Sequence, residues 1–124
     1  MTTNLQNIFD RVVTHLLTQN AKALDDAGYC TYRGFDGRMC AIGCLIPPER
    51  YEKFLEGKSA TSSVVLTAIG FDLNVNDYTR RFLEDLQAIH DNAIFVKEWP
   101  ERLSYVAYNY NLQIPNILFT HLSD

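Results

Sequence analysis

The segment Thr31–Tyr51, TYRGFDGRMCAIGCLIPPERY, decides how the fold is read. YCTYR (29–33) and RMCAI (38–42) flank the glycine-rich GFDG, and aromatic or alternating apolar residues on both sides of such a turn predict a β-hairpin near residues 29–43. CAIGCLI (40–46) fits equally well the start of a short buried helix. Gly43 interrupts that apolar run where a larger residue would fill space more favourably, so it marks a close approach by another backbone or a large side chain. Gly43→Val should therefore overpack, at a cost of roughly 1–3 kcal/mol. Pro47 and Pro48 stop whatever precedes them, and Pro48 suits the first turn of a short helix, PERYEKFLEG, that ends at Gly57.

Outward from this segment the pattern is helical. Leu5, Ile8, Phe9, Val12, Leu16 and Leu17 recur at helix spacing, with Thr3 and Gln6 placed as a capping box and Gly28 as the stop, which predicts a long helix over roughly residues 4–27. TSSVVLTAIG predicts a compact helix ending at Gly70. Asp77 can cap a further helix with Tyr78, Phe82, Leu86, Ile89 and Ala93 on one face, and Pro100 opens another with Leu103, Val106, Ala107 and Tyr110 inward. Tyr105, Tyr108 and Tyr110 surround the core face of that last long helix, and not all can be buried at once. The tail IPNILFTHLSD is apolar enough to dock. The expected fold class is α+β, mostly α: a single globular domain over residues 1–124, with about five helices and one small β-hairpin.

At 124 residues and 47% hydrophobic composition, the chain can bury a core without metal or disulfide staples. No apolar run approaches the roughly 20 residues needed to cross a bilayer, and MTTNLQNIFDRVV lacks the pattern of a signal peptide, so a cytoplasmic location is expected. Three cysteines without an export signal argue for reduced thiols. A net charge of -4 and a pI near 5.3 give no global attraction to nucleic acid or anionic lipid, and neither partner is expected.

The chemistry-bearing residues concentrate around the turn. Cys40 and Cys44 share a face whether the segment is helix or strand, whereas a one-residue change in register decides whether Cys30 joins them. Zinc ligation by the three thiols with His15, His90 or His121 lacks a short Cys-x-x-Cys knuckle, and neither metal nor cofactor is expected. Ala41, Ile42, Leu45 and Ile46 favour cysteines that simply pack. A sharper alternative makes Cys40 a nucleophile, with His90 as base and Asp91 as its orienting carboxylate. Asp91, the immediate neighbour of His90, points about a hundred degrees away on an ideal helix and is badly placed for that task. Arg33, Arg38, Arg50 and Lys53 could instead receive a phosphate or carboxylate, although Asp36, Glu49, Glu52 and Glu56 nearly cancel their charge.

The run C-x-Y-R-G-x-D-G-x-x-C-A-I-G-C-L-I-P-x-E-x-Y, with a following E-G, L-Q-A-I-H-D, a tryptophan and a terminal Y-N-L, resembles a family of small uncharacterised bacteriophage, prophage and bacterial proteins. The matching positions run from Cys30 to Leu112. The resemblance implies no catalytic residue. It implies a context, in which a small phage-linked protein acts by binding a host component in the host cytoplasm. With no complete catalytic constellation evident, the expected function is a non-enzymatic binding protein that engages a host protein or a small anionic, nucleotide-like metabolite through Arg33, Arg38, Arg50 and Lys53, as in counter-defence. The alternative is a small cysteine-dependent hydrolase using Cys40 and His90.

Overall fold

The computed structural model describes residues 4–71, 75–93 and 95–122. Thr3 of the expected capping box, and Ser123 and Asp124 of the tail, lie outside the described residues.

Helix α1 (Leu5–Gln19) is capped by Asn4, whose side chain accepts the Asn7 N–H at 3.2 Å. It buries Phe9, Val12, Val13, Leu16 and Leu17, the face its spacing predicts. It stops well short of Gly28, because Asn20 takes the left-handed conformation (φ 55°) and its N–H closes onto Leu16 O at 2.8 Å. Gly28, also at positive φ, serves a later turn.

The segment that follows corrects the expected fold class. Among the described residues there is no β-strand and no sheet, so neither the β-hairpin nor the α+β class holds, and the chain is mostly α-helical with five α-helices. What remains of the hairpin is two isolated antiparallel bridges, Leu24 with Cys30 and Arg33 with Met39. The ladder does not extend because side chains take the backbone groups it would need. Met39 N–H donates to Gln19 Oε1 (2.9 Å), and Met39 O accepts from His15 Nε2 and Gln19 Nε2 (both 2.8 Å). Across the turn, the Glu56 carboxylate accepts the N–H groups of Tyr32 (2.9 Å) and Arg33 (3.1 Å). These bonds satisfy buried polar groups as a strand partner would.

CAIGCLI forms only a 3-10 turn at Gly43–Leu45, and PERYEKFLEG two such turns, Pro48–Arg50 and Lys53–Leu55, in place of one helix. The close approach expected at Gly43 is present: a Cβ there would lie 2.0 Å from Tyr32 O and 2.8 Å from Tyr32 C. The neighbour is backbone, which cannot rotate away.

The other helices are α2 (Ser63–Ile69, stopped by left-handed Gly70), α3 (Asp77–Asn92), α4 (Trp99–Asn109) and α5 (Asn116–Leu122). Asn76, one position before Asp77, caps α3 by accepting the Thr79 N–H at 2.8 Å. Helix α4 lies on α3 and α1, and α5 docks across α1 and α4 with Leu118 fully buried. Tyr110 is buried and donates to Asp85 Oδ2 at 2.6 Å, whereas Tyr105 and Tyr108 are exposed. No described helix is long and apolar enough to cross a membrane. The irregular segment 20–62 packs its apolar residues Ala23, Tyr32, Cys40–Ile42 and Cys44–Ile46 into the same core cluster, so its polar residues are pressed against the C-terminal end of α3.

Candidate active site

The site starts from a fully buried polar side chain, His90, in the last turn of α3. A buried imidazole must satisfy both ring nitrogens. Nε2 accepts the Ala23 N–H at 2.9 Å, which requires an unprotonated Nε2 and places the ring proton on Nδ1. That proton is donated to Asp91 Oδ1 at 2.7 Å. Trp99 stacks on the ring at 5.7 Å between centroids and fixes its plane.

The expectation that Asp91 cannot orient His90 is corrected by this contact. Both residues sit in the last turn of α3, and Gln87 one turn earlier holds the carboxylate back along the helix by donating from Nε2 to Asp91 Oδ1 at 2.9 Å. The amide of Gln87 is itself oriented by Ile42 N–H, which donates to its Oε1 at 3.0 Å. Sequence reasoning missed Gln87. Its signal, a polar residue between Leu86 and the buried face of α3, became meaningful only once Ile42 was placed opposite.

Cys30 is brought to this carboxylate by a turn. Asp25 Oδ1 accepts the N–H groups of Ala27 and Tyr29, both at 2.9 Å, Gly28 N–H reaches Asp25 O at 3.0 Å, and Thr31 N–H returns to Ala23 O at 3.1 Å. Ala23 thus links the Cys30 turn, held through its carbonyl, to His90, held through its N–H. The reactive atoms of Cys30, His90 and Asp91 all lie within 4.8 Å of one another. Cys30 and Asp91 open onto a cleft of about 490 Å³ whose walls include Thr31, Tyr32, Glu56–Ala60, Glu84, Gln87 and Ala88, while His90 stays buried behind them.

The electrostatics distinguish the three thiols. Burial, then the charge of Asp91 and the hydrogen bonding it offers, raise the Cys30 thiol above its ordinary value, so it rests as a thiol beside the carboxylate. Burial pushes Cys40 up to about 12, against hydrogen bonds from Gly43, Ile42 and Gln87, and burial likewise pushes Cys44 up to about 12. For Asp91, burial acts upward, but hydrogen bonds from His90 and Gln87, the His90 ring and the Cys30 thiol together hold it below its usual value.

These placements correct two expectations. Cys40, the nucleophile of the expected hydrolase, is fully buried with Sγ accepting the Gly43 N–H at 3.2 Å; the cysteine beside His90 is Cys30. The reading of a purely non-enzymatic binder, leaning away from an enzyme, rested on the lack of a catalytic constellation, and the Cys30–His90–Asp91 cluster overturns it. The usable signal was the Asp25–Gly28 turn, which exposes Cys30, against the apolar neighbours that bury Cys40.

Of the four cations of the expected anion site, Arg33 and Arg38 are engaged within the protein. Arg33 donates from Nη2 to Ile46 O at 2.8 Å and lies over the Tyr51 ring; Arg38 pairs with Asp36 at 3.3 Å. Arg50 lines a different, mainly apolar groove with Phe54 and Val64, and Lys53 is exposed at the start of its 3-10 turn.

The cluster also decides a metal question on its donor set. A cation on Nδ1 would displace the only ring proton while Ala23 N–H still requires Nε2 as acceptor, and the 2.7 Å between Nδ1 and Asp91 Oδ1 is shorter than the roughly 3.3 Å that two ligands about 2 Å from a tetrahedral zinc would span. The residues fit a proton relay better than a zinc ion.

Thiol reagents test this arrangement directly. One thiol, Cys30, should react promptly in the folded protein, and Cys40 and Cys44 only after denaturation. Quenched labelling followed by peptide mapping reads it; uniform reactivity of all three would contradict the burial. Compared with known proteins, the chain matches no family model, no curated protein and no solved structure.

Proposed function

We propose that this protein is a small cysteine-dependent hydrolase acting on an acyl bond, with Cys30 as nucleophile. The observation that carries the reading is the convergence within 4.8 Å of an exposed thiol and a carboxylate, both lining the cleft, with the buried His90 imidazole against the carboxylate. Their order is thiol, carboxylate, imidazole, because the second ring nitrogen is committed to Ala23. Asp91 is therefore the base. As the Cys30 sulfur bonds to the acyl carbon, the thiol proton passes to Asp91 and the carbonyl π electrons move to oxygen. Collapse of the adduct breaks the bond to the leaving group, which departs with that proton. Water, deprotonated by Asp91, then cleaves the thioester and returns the thiol. His90 acts through Asp91: its Nδ1–H steadies the carboxylate throughout. Proton transfer from a raised thiol to a lowered carboxylate is uphill at rest, so it proceeds together with carbon–sulfur bond formation.

The test uses the wild-type chain and Cys30→Ala against a panel of chromogenic acyl esters, thioesters and peptidyl amides, with intact-mass detection of the acyl-enzyme at short times. An adduct on Cys30 and turnover that vanishes in Cys30→Ala are expected. Turnover retained in Cys30→Ala, or no adduct and no turnover on any ester, thioester or amide, would overturn the reading.

A further inference from the structure

The floor of the cleft is one face of α3. Glu84, Gln87, Ala88 and Asp91 all line it, and at 3.6 residues per turn they fall within an arc of about 100°. The same helix turns Phe82, Leu83, Leu86 and Ile89 into the core, so the cleft face is its polar side. With a rise of about 1.5 Å per residue, Glu84 stands roughly 10 Å along this floor from Asp91. Glu84 is exposed, and no hydrogen bond or ion pair engages it among the described residues.

The other charges of the cleft are committed differently. The Glu56 carboxylate is consumed by Tyr32 N–H, Arg33 N–H and the Tyr51 hydroxyl, the last at 2.6 Å. Lys58, on the facing wall, is the one cation lining the cleft among the described residues. At Cys30 the charges that bear on the thiol are Asp91 and Asp25 against Lys22, a net negative surrounding. Lys22 itself points its Nζ to Asp91 O at 3.4 Å, at the end of the helix.

Resting on the hydrolase reading of Cys30, we propose that Glu84 is a specificity-determining residue, and that the substrate is an amide or ester bearing a cationic group, ammonium or guanidinium, remote from the bond that Cys30 attacks, at the Glu84 end of the cleft. A free carboxylate at the far end of a cleft whose reacting end is already negative attracts such a group and repels anionic acyl compounds. Glu84 touches the substrate's charge and takes no part in bond making.

Methanethiosulfonate reagents of three charges probe this without requiring turnover. At low ionic strength, the trimethylammonioethyl reagent should modify Cys30 about ten-fold faster than the sulfonatoethyl reagent, each rate normalised to the same reagent on a free thiol. Glu84→Gln should cut that ratio at least three-fold and Glu84→Lys invert it, with the neutral methyl reagent unchanged and the melting temperature preserved because the side chain is exposed. A wild-type ratio near one, or a ratio that Glu84→Gln leaves intact, overturns the proposal. Among hydrolysable esters, the cationic member should show a lower KM than its neutral analogue and lose that advantage in Glu84→Gln. The two readings fail separately: absent turnover with an intact charge ratio removes the hydrolase and keeps the cation-selecting cleft, whereas turnover without charge preference does the reverse.

Discussion

Gly43→Ala should lower the melting temperature by ten degrees or more, corresponding to about 3 kcal/mol or above. The added Cβ would sit 2.0 Å from Tyr32 O, and the next atoms it meets are also main chain. Overpacking against a side chain is relieved by a rotamer change, but here either the Gly43–Leu45 turn or the Tyr32 backbone must move. Tyr32 is anchored on both sides, by Glu56 at its N–H and by its hydroxyl donating to Lys58 O. The displacement would also reach the site, since Ile42 N–H holds Gln87 and Gln87 holds Asp91. Gly43→Ala should therefore lose activity beyond what its unfolded fraction explains. A thermal melt within two degrees of wild type would show that the turn yields freely.

The largest functional effects belong to Cys30 and Asp91. Cys30→Ala should reduce kcat/KM by at least about 10³-fold, since the bond-forming atom is gone. Asp91→Asn, which keeps the shape but cannot take a proton, should cost about 10²–10⁴-fold. The pH profile separates this mechanism from a thiolate–imidazolium pair. Asp91 must be ionised to act and its pKa is lowered, so activity is present above that value and is lost as pH falls through it, below the ordinary carboxylate pKa of about 3.9. Cys30 is raised, so the thiolate adds rate only on the alkaline side, above the ordinary thiol range. An acid limb centred near the ordinary histidine pKa of about 6.5 would assign the base to His90 and overturn the order of the relay.

The helices were legible because burial is periodic. The apolar spacing of α1, α3 and α4 and the residues Gly70 and Pro100 at helix ends carry information within a few neighbours, and most of each marked face is buried; the exceptions are at the start of α3, where Asn76 rather than Asp77 is the cap and Tyr78 is exposed. Where α1 stops was less legible. Both Asn20 and Gly28 can adopt a left-handed backbone, and the chain uses the first to end the helix and the second to turn towards Cys30.

Gly43 could be read as a close approach, because a residue without a side chain in an apolar run leaves room that a packed core must fill from elsewhere. The identity of its neighbour, a backbone carbonyl, came only from the folded chain.

The irregular segment 20–62 resisted local reading, because its backbone groups are satisfied by distant side chains: Glu56 and Gln19 replace the strand partner that GFDG promises, and His90 and Gln87 hold Ala23 and Ile42. Cysteine chemistry followed the same divide. The apolar surroundings of Cys40 and Cys44 are local and readable as burial, whereas Cys30 acquires its partners across about sixty residues of chain through the Ala23–His90 hydrogen bond, the Lys22 contact to Asp91 O and the turn built on Asp25. By itself the sequence determined which faces are buried and which residues could react. Only tertiary structure decided which thiol meets the carboxylate, because hydrogen bonds between distant segments leave no period along the chain.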